Sequence, residues 1–508
     1  MDIFSLSTKK ISYLDFEPFF NGSIKIDLTD EAISNIKKSH AHFKKKLDSN
    51  EIIYGVNTGF GNLSNILIDH KDQKKLQLNL VRSHSSGIGN PLELGLVRTI
   101  LYLKLHTYAK GYSGVRIELA RKIVEFLNHD IMPVIPEKGS VGASGDLAPM
   151  GHMALALIGE GEVFYQSKKR LSIDVLNELS IDPIVLDPKE GLSLINGTQV
   201  STAIAIKTLI QGYSLLRSSD IVGSISLENS FSSRNVFKKE VHLAKVHPGQ
   251  QVCADNIYRI LEDSDIVESH KNCGKVQDPY SFRCIPHVHG ASRDIFTNAS
   301  KIINNEINSV SDNPLILKDG SIISSGHFHA EHVAQALDTL AIAFSELGAI
   351  SERRSHYFMK GVDGRFPPFV TKNPGIESGY MIAHVTASAL ASENKTLAHP
   401  ASVDSISSSG GQEDLVSMAP WAGYKLLKIQ ENVYFILAVE LLIAGAANYI
   451  SSANKKSGKG LRTVIKLLAL ECDFESGDRP LASEINKLKN FIESGKLLNE
   501  VDKYITME

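Results

Sequence analysis

Among the residues able to do chemistry, the run Gly139–Met150, GSVGASGDLAPM, holds the most unusual option, because Ala143, Ser144 and Gly145 stand side by side in it. Gly145 has the least hindered backbone nitrogen available, and a tight bend can press it against the carbonyl carbon of Ala143. Cyclisation with loss of water, followed by dehydration of the Ser144 side chain, leaves a five-membered ring bearing an exocyclic methylene. Such a ring is an electrophile made from the backbone itself. Taken alone, the tripeptide reads first as an ordinary loop.

Three more segments combine glycine with small polar residues: YGVNTGFG at Tyr54–Gly61, SHSSGIG at Ser83–Gly89 and INGTQ at Ile195–Gln199. None matches a standard glycine fingerprint. Gly59-Phe-Gly61 lacks the third glycine of a dinucleotide loop, and no phosphate-binding G-x-x-x-x-G-K-[ST] occurs. Ser144 is not in G-x-S-x-G, since Asp146 stands where the last glycine belongs, so a hydrolase elbow is disfavoured. His327-x-His329-x-x-His332 has the look of a metal cluster, but no accompanying Cys/His/Asp pattern closes a coordination sphere. We therefore expect no metal.

The elements that must position these groups read as helices. Val333, Leu337, Leu340, Phe344 and Leu347 recur in steps of four, three, four and three, an apolar seam on one long helix. Leu94–Ala109, Ser201–Leu216 and Ile429–Ile450 read the same way, and several apolar-striped helices bury one another as a bundle. Strand signals are local: Glu162–Tyr165, and Leu315–Lys318 joined to Ser321–Ile323 by the Asp319-Gly320 turn. No internal repeat appears. The Pro-containing Ile181–Pro188 and the Lys/Ser/Gly-rich Ser451–Lys459 suggest an N-terminal region over 1–190, a central bundle over 191–450 and a helical tail over 451–508.

Composition narrows the function classes. Lys+Arg 54 nearly balance Asp+Glu 57, so there is no bulk positive charge to drive nucleic-acid or membrane-surface binding. Cys253, Cys273, Cys284 and Cys472 are too scattered for a disulfide framework and form no C-x-x-C pair. Acidic residues interrupt the first 20 positions, where a leader would need an apolar core, and Glu440 interrupts the apolar run Val433–Ala447. The expectation is a soluble, cytoplasmic protein acting on a small molecule.

Read together, GSVGASGDLAPM, YGVNTGFG, INGTQ, KVQDPYSFRC at Lys275–Cys284, SDNPL at Ser311–Leu315, SERRS at Ser351–Ser355 and ASENKTLAHPASVDS at Ala391–Ser405 resemble, in order, the motifs of the aromatic amino-acid ammonia-lyases. The resemblance covers roughly residues 50 to 450. It implies a mainly α fold of the fumarase/aspartase type, with a long central helical bundle and a mixed, mostly helical N-terminal domain. It also implies a 4-methylidene-imidazol-5-one (MIO) group formed from Ala143-Ser144-Gly145, no external cofactor, and a homotetramer with shared sites. Tyr54 corresponds to the family's base; a free phenol has a pKa near ~10, so such a base needs positive or hydrogen-bonding surroundings. Arg283 matches the residue that holds the substrate carboxylate, a bidentate task suited to guanidinium. Asn196, Gln277 and Tyr280 correspond to polar residues at the substrate, and Phe328 to an aromatic packed near the electrophile. Read without the resemblance, Asn196 is a cap for the helix beginning near Gln199 or Ser201.

Within the family, Glu413 in Gln412-Glu413-Asp414 puts a carboxylate where phenylalanine- and tyrosine-specific members usually show an amide. Met381 and the Ser83-His84 pair are likewise similar to the histidine-specific members, with His84 meeting the imidazole. The implied reaction is conversion of L-histidine to urocanate and ammonia. Four features depart from the family pattern: His327, Gly410, Gly411 and Leu415. They keep a tyrosine or phenylalanine lyase, or an aminomutase, as alternatives, beside a metal-binding or catalytically silent scaffold.

Overall fold

The computed structural model describes residues 3–270, 275–361, 365–452 and 454–508. Cys273 lies outside the described residues. Helices dominate, and the fold is mainly α. The Leu94–Ala109 helix has the expected bounds, and every residue from Gly95 to Ala109 is buried. A helix buried on all sides has no solvent face, so this one forms the middle of its packing layer, and its few polar side chains, Lys104 among them, must find partners inside the protein. The other expected helices extend further than their apolar periodicity: Gln199–Asn229, Glu331–Met359 and Ala419–Ser452. Their extra turns are polar or glycine-containing, and burial holds them helical. Val333, Leu337, Leu340, Phe344 and Leu347 are all fully buried, as the seam requires.

The chain forms two compact units, each assembled from non-consecutive segments. Met1–Lys207, Ser300–Leu337 and Pro400–Tyr424 make the first; Thr208–Ala299, Asp338–His399 and Lys425–Glu508 make the second. Residues 190 and 450 both fall inside a unit.

In the first unit, Phe16 and Phe19 meet Tyr102 edge-on, with ring centroids 5.5 and 5.1 Å away. Short sheets decorate its helices. Glu162–Tyr165 pairs antiparallel with Lys168–Leu171 and with Met132–Pro133, and Leu315–Ile316 pairs with Ile322–Ile323 around the Asp319-Gly320 turn. In the second unit the apolar interior is crossed by charge. Arg354 and Glu440 are fully buried and joined by two hydrogen bonds of 2.5 and 2.9 Å. Asp220, also fully buried, accepts from His289, Asn256 and Arg293. The Glu331–Met359 and Ala419–Ser452 helices are long and apolar enough to cross a bilayer by length and composition, yet most of each apolar window is buried inside the protein. The pairing of Glu440 with Arg354 is what lets a carboxylate occupy that interior.

Candidate active site

Four segments of the first unit converge on Ser144. The loop before the Leu147–Leu157 helix carries Ala143-Ser144-Gly145; the end of the Glu190–Ile195 helix brings Asn196; the Gln73–His84 helix ends on His84; and a turn through Ser408–Glu413 delivers a carboxylate. Together with the Tyr54–Gly61 loop they line a cavity of 690 Å³ that includes Tyr54, His84, Ser144, Asn196 and Glu413.

Glycine makes the Ser144 loop possible. Gly145 has φ +83°, and a Cβ there would lie 2.1 Å from the Gly197 carbonyl oxygen, so no other residue fits. That closeness is a backbone pairing: Asp146 N–H donates to Gly197 O at 2.8 Å, and Gly197 N–H points to Ser144 O at 3.4 Å. From the other side, Ser417 Oγ donates to Gly142 O at 3.0 Å and Met418 N–H to Val141 O at 2.9 Å. Asp146, fully buried, accepts from Ser201 N–H and Ser201 Oγ, both at 2.8 Å, at the start of the Gln199–Asn229 helix. Burial pushes its carboxyl up to about 6 despite these donors.

Glu413 is tied in by serines. Ser144 Oγ donates to its Oε1 at 2.8 Å, while Ser408 and Ser409 hydroxyls donate to Oε2 at 2.6 and 2.7 Å. Partial burial works against its charge, but the three hydroxyls, with His84 nearby, hold the carboxyl below its usual range. His84 goes the other way: burial lowers its pKa, opposed by the Leu80 carbonyl 2.9 Å from Nδ1 and by Glu413. An ionised acceptor therefore faces a neutral imidazole across the cavity.

Tyr54 Oη accepts a hydrogen bond from Gly61 N–H at 3.0 Å, which fixes the phenol oxygen at the cavity wall. The loop is fixed by Gln77, whose side chain donates to Gly55 O and accepts from Leu192 N–H, each at 2.9 Å. Asn196 is buried and caps the C-terminus of the Glu190–Ile195 helix, not the N-terminus of the following one. Its side-chain oxygen has no protein partner.

The remaining candidates lie elsewhere. Phe328 sits half-buried on the turn before the Glu331–Met359 helix and does not line the cavity. His327 Nδ1 meets Ser325 Oγ at 2.8 Å and His329 Nε2 meets Leu415 O at 3.3 Å; among the described residues these histidines do not gather ligand atoms with His332. Gln277, Tyr280, Arg283 and Met381 belong to the second unit. There Gln277 and Tyr280 are exposed, and the Arg283 guanidinium lies 4.6 Å above the Tyr280 ring. Ser408, Ser409 and Gln77 were not singled out from sequence. A serine-rich run such as Ser405–Ser409 reads as a turn, and only its pairing with Glu413 gives it a task.

Fold and site define a helical enzyme built around a glycine-bent Ala-Ser-Gly loop that shares its cavity with a tyrosine and a carboxylate. The model of the family described as aromatic amino acid lyase matches residues 12–469. The chain is 42% identical over 477 residues to a histidine ammonia-lyase of Myxococcus xanthus, covering 94% of each. Among solved structures it is similar to a histidine ammonia-lyase from Trypanosoma cruzi, with 35% identity, TM-score 0.91 and 99% and 96% of the two chains covered. A tyrosine aminomutase from Streptomyces globisporus superposes with TM-score 0.94 at 31% identity over 100% of both chains. The chain belongs to the aromatic amino acid lyase family.

Proposed function

We propose that this protein is a histidine ammonia-lyase, converting L-histidine to trans-urocanate and ammonia with an MIO group made from Ala143-Ser144-Gly145. The observation that carries the choice of substrate is Glu413, a carboxylate beside Ser144 that accepts from the Ser408 and Ser409 hydroxyls, two donors that remain when the Ser144 hydroxyl is lost in forming the ring. An imidazole N–H is a good donor to its Oε1, whereas a phenyl ring offers that oxygen nothing and still displaces water from it. The relatives named histidine ammonia-lyase support the same reading.

The residues present fit the prosthetic group. Gly145 sits in a cradle that any Cβ would fill, and the unpartnered Asn196 side-chain oxygen lines the same cavity. Once formed, the group supplies an electrophilic methylene carbon that turns the substrate amine into a leaving group. Tyr54, with Gly61 N–H at its oxygen, takes the β-proton as general base. Glu413 accepts from the substrate imidazole, and neutral His84 orients that ring. Asn196 offers its amide to the reacting amine.

Arg283, with Gln277 and Tyr280, takes the substrate carboxylate, Met381 borders the substrate, and Phe328 packs near the electrophile. We assign these groups to sites shared between chains of a homotetramer. Surface character supports the assignment: Val276 is 99% exposed, Tyr280 71% and Ile382 61%, apolar area that a lone chain leaves in water. Free thiols at Cys253, Cys284 and Cys472 suit a reducing cytoplasm.

The test is incubation with histidine, tyrosine and phenylalanine separately, following ammonia and the unsaturated acid. Urocanate should form fastest. A cinnamate-type product outpacing it would transfer the protein to a tyrosine or phenylalanine lyase, and a β-amino acid without ammonia to an aminomutase.

A further inference from the structure

The Leu94–Ala109 helix contains an apolar run, ILYLKL at Ile100–Leu105, interrupted by one charge, and that residue, Lys104, is fully buried. A lysine is retained in such a place only when its N–H groups are used. Lys104 Nζ donates to Ser193 O at 2.8 Å and to Asn196 O at 2.7 Å. These are last-turn carbonyls of the Glu190–Ile195 helix, which have no partner within their own helix.

Asn196 O belongs to the same peptide group as Gly197 N–H. That peptide is planar and trans, so the direction of its carbonyl sets the direction of its N–H. The N–H points at Ser144 O from 3.4 Å, and Gly197 O in turn accepts from Asp146 at 2.8 Å. Lys104 therefore grips one side of a peptide plane whose other side meets Ser144. Its surroundings leave that grip intact: Lys189 is paired with Asp312 at 3.3 Å, and Ser193 Oγ donates to the same carboxylate at 2.6 Å. Burial lowers the Lys104 pKa to about 7 against the pull of Asp312, and either protonation state keeps the two N–H donors the carbonyls need.

We propose that Lys104 is a positioning residue for this site: by holding the Asn196 carbonyl it orients the Asn196–Gly197 peptide so that Gly197 N–H donates to the Ser144 carbonyl. A donor there withdraws electron density from Ser144 and favours loss of its Cα proton. In the dehydration of Ser144 the Cα–H and Cβ–Oγ bonds break, a Cα=Cβ bond forms, and proton and hydroxide leave as water. The inference rests on the reading that Ala143-Ser144-Gly145 matures to the ring.

The experiment compares full-length wild type, Lys104→Met and Lys104→Gln. Folding is read by far-UV circular dichroism, maturation by the mass of the peptide containing residues 139–150, and turnover as kcat and KM. The wild-type peptide should be lighter by two water molecules; if it is not, the ring reading itself fails. Lys104→Met fills the same space without donors, and should fold, mature poorly and lose on the order of 100-fold in kcat with KM nearly unchanged. Lys104→Gln keeps two N–H donors and should recover most of both. A folded Met variant that matures and turns over like wild type overturns the proposal. Should Met not fold, Gln decides: a folded Gln variant that stays unmatured also overturns it.

Discussion

Ser144 Oγ donates to Glu413 Oε1 at 2.8 Å across 269 positions of sequence. The contact is set by backbone on both sides. Gly145 pairs with Gly197 behind the serine, and Ser408 pairs with Glu413 behind the carboxylate, with Ser408 N–H donating to Glu413 O at 2.9 Å. The nucleophile-accepting end of the cavity and the group proposed to select the substrate are thus held in one arrangement.

Glu413→Gln keeps the shape and removes the charge. A hydrogen bond to a charged group is worth about 1.5–3 kcal/mol, so kcat/KM for histidine should fall roughly 10- to 150-fold. Activity on phenylalanine, which never uses that charge, should not fall in parallel. Kinetics on both substrates check it, and an unchanged preference removes the role given to Glu413.

Tyr54→Phe deletes the oxygen that Gly61 N–H approaches at 3.0 Å and leaves the ring against Phe60. Loss of a general base costs about 10²- to 10⁴-fold in kcat. The mass of the 139–150 peptide should stay that of wild type, which separates a lost base from a lost electrophile.

Gly145→Ala forces a Cβ to within 2.1 Å of the Gly197 carbonyl oxygen at φ +83°. The Gly145–Gly197 pairing must open, at about 1–3 kcal/mol for the backbone strain alone. We expect a lower Tm together with loss of the dehydrated mass. A variant that keeps both would mean that the loop reshapes freely.

Asp146 links stability to pH with a stated sign. Its folded pKa is raised to about 6 by burial, above the ~3.9 of an unfolded aspartate, so its contribution is full below ~3.9 and is lost as pH rises through about 6. Asp146→Asn removes this dependence and adds a pH-independent offset from altered hydrogen bonding to Ser201. The wild-type Tm minus the variant Tm should therefore decrease between pH 4 and pH 7. A difference flat with pH would place the Asp146 pKa near its unfolded value.

Local rules made the helical class legible. Apolar periodicity locates Leu94–Ala109 to the residue and marks the buried seam from Val333 to Leu347, because one turn of helix repeats over only a few positions. Helix ends were less legible: Gln199–Asn229 and Ala419–Ser452 outrun their apolar patterns, since tertiary burial sustains turns that periodicity does not announce. The short hairpin at Leu315–Ile323 was visible from its Asp-Gly turn.

By itself the sequence determined the residue types, the order of the motifs and the glycine bends that let Ala143-Ser144-Gly145 turn sharply. Only the tertiary structure decided which groups meet. Ser408 and Ser409 become donors to Glu413, Asn196 caps the helix before it, and Lys104 turns from a misplaced charge into a clamp on the Asn196 carbonyl. The physical reason is range. Backbone preference and periodicity act over a few residues and are written locally, whereas a hydrogen bond between positions 269 apart depends on how every intervening element packs.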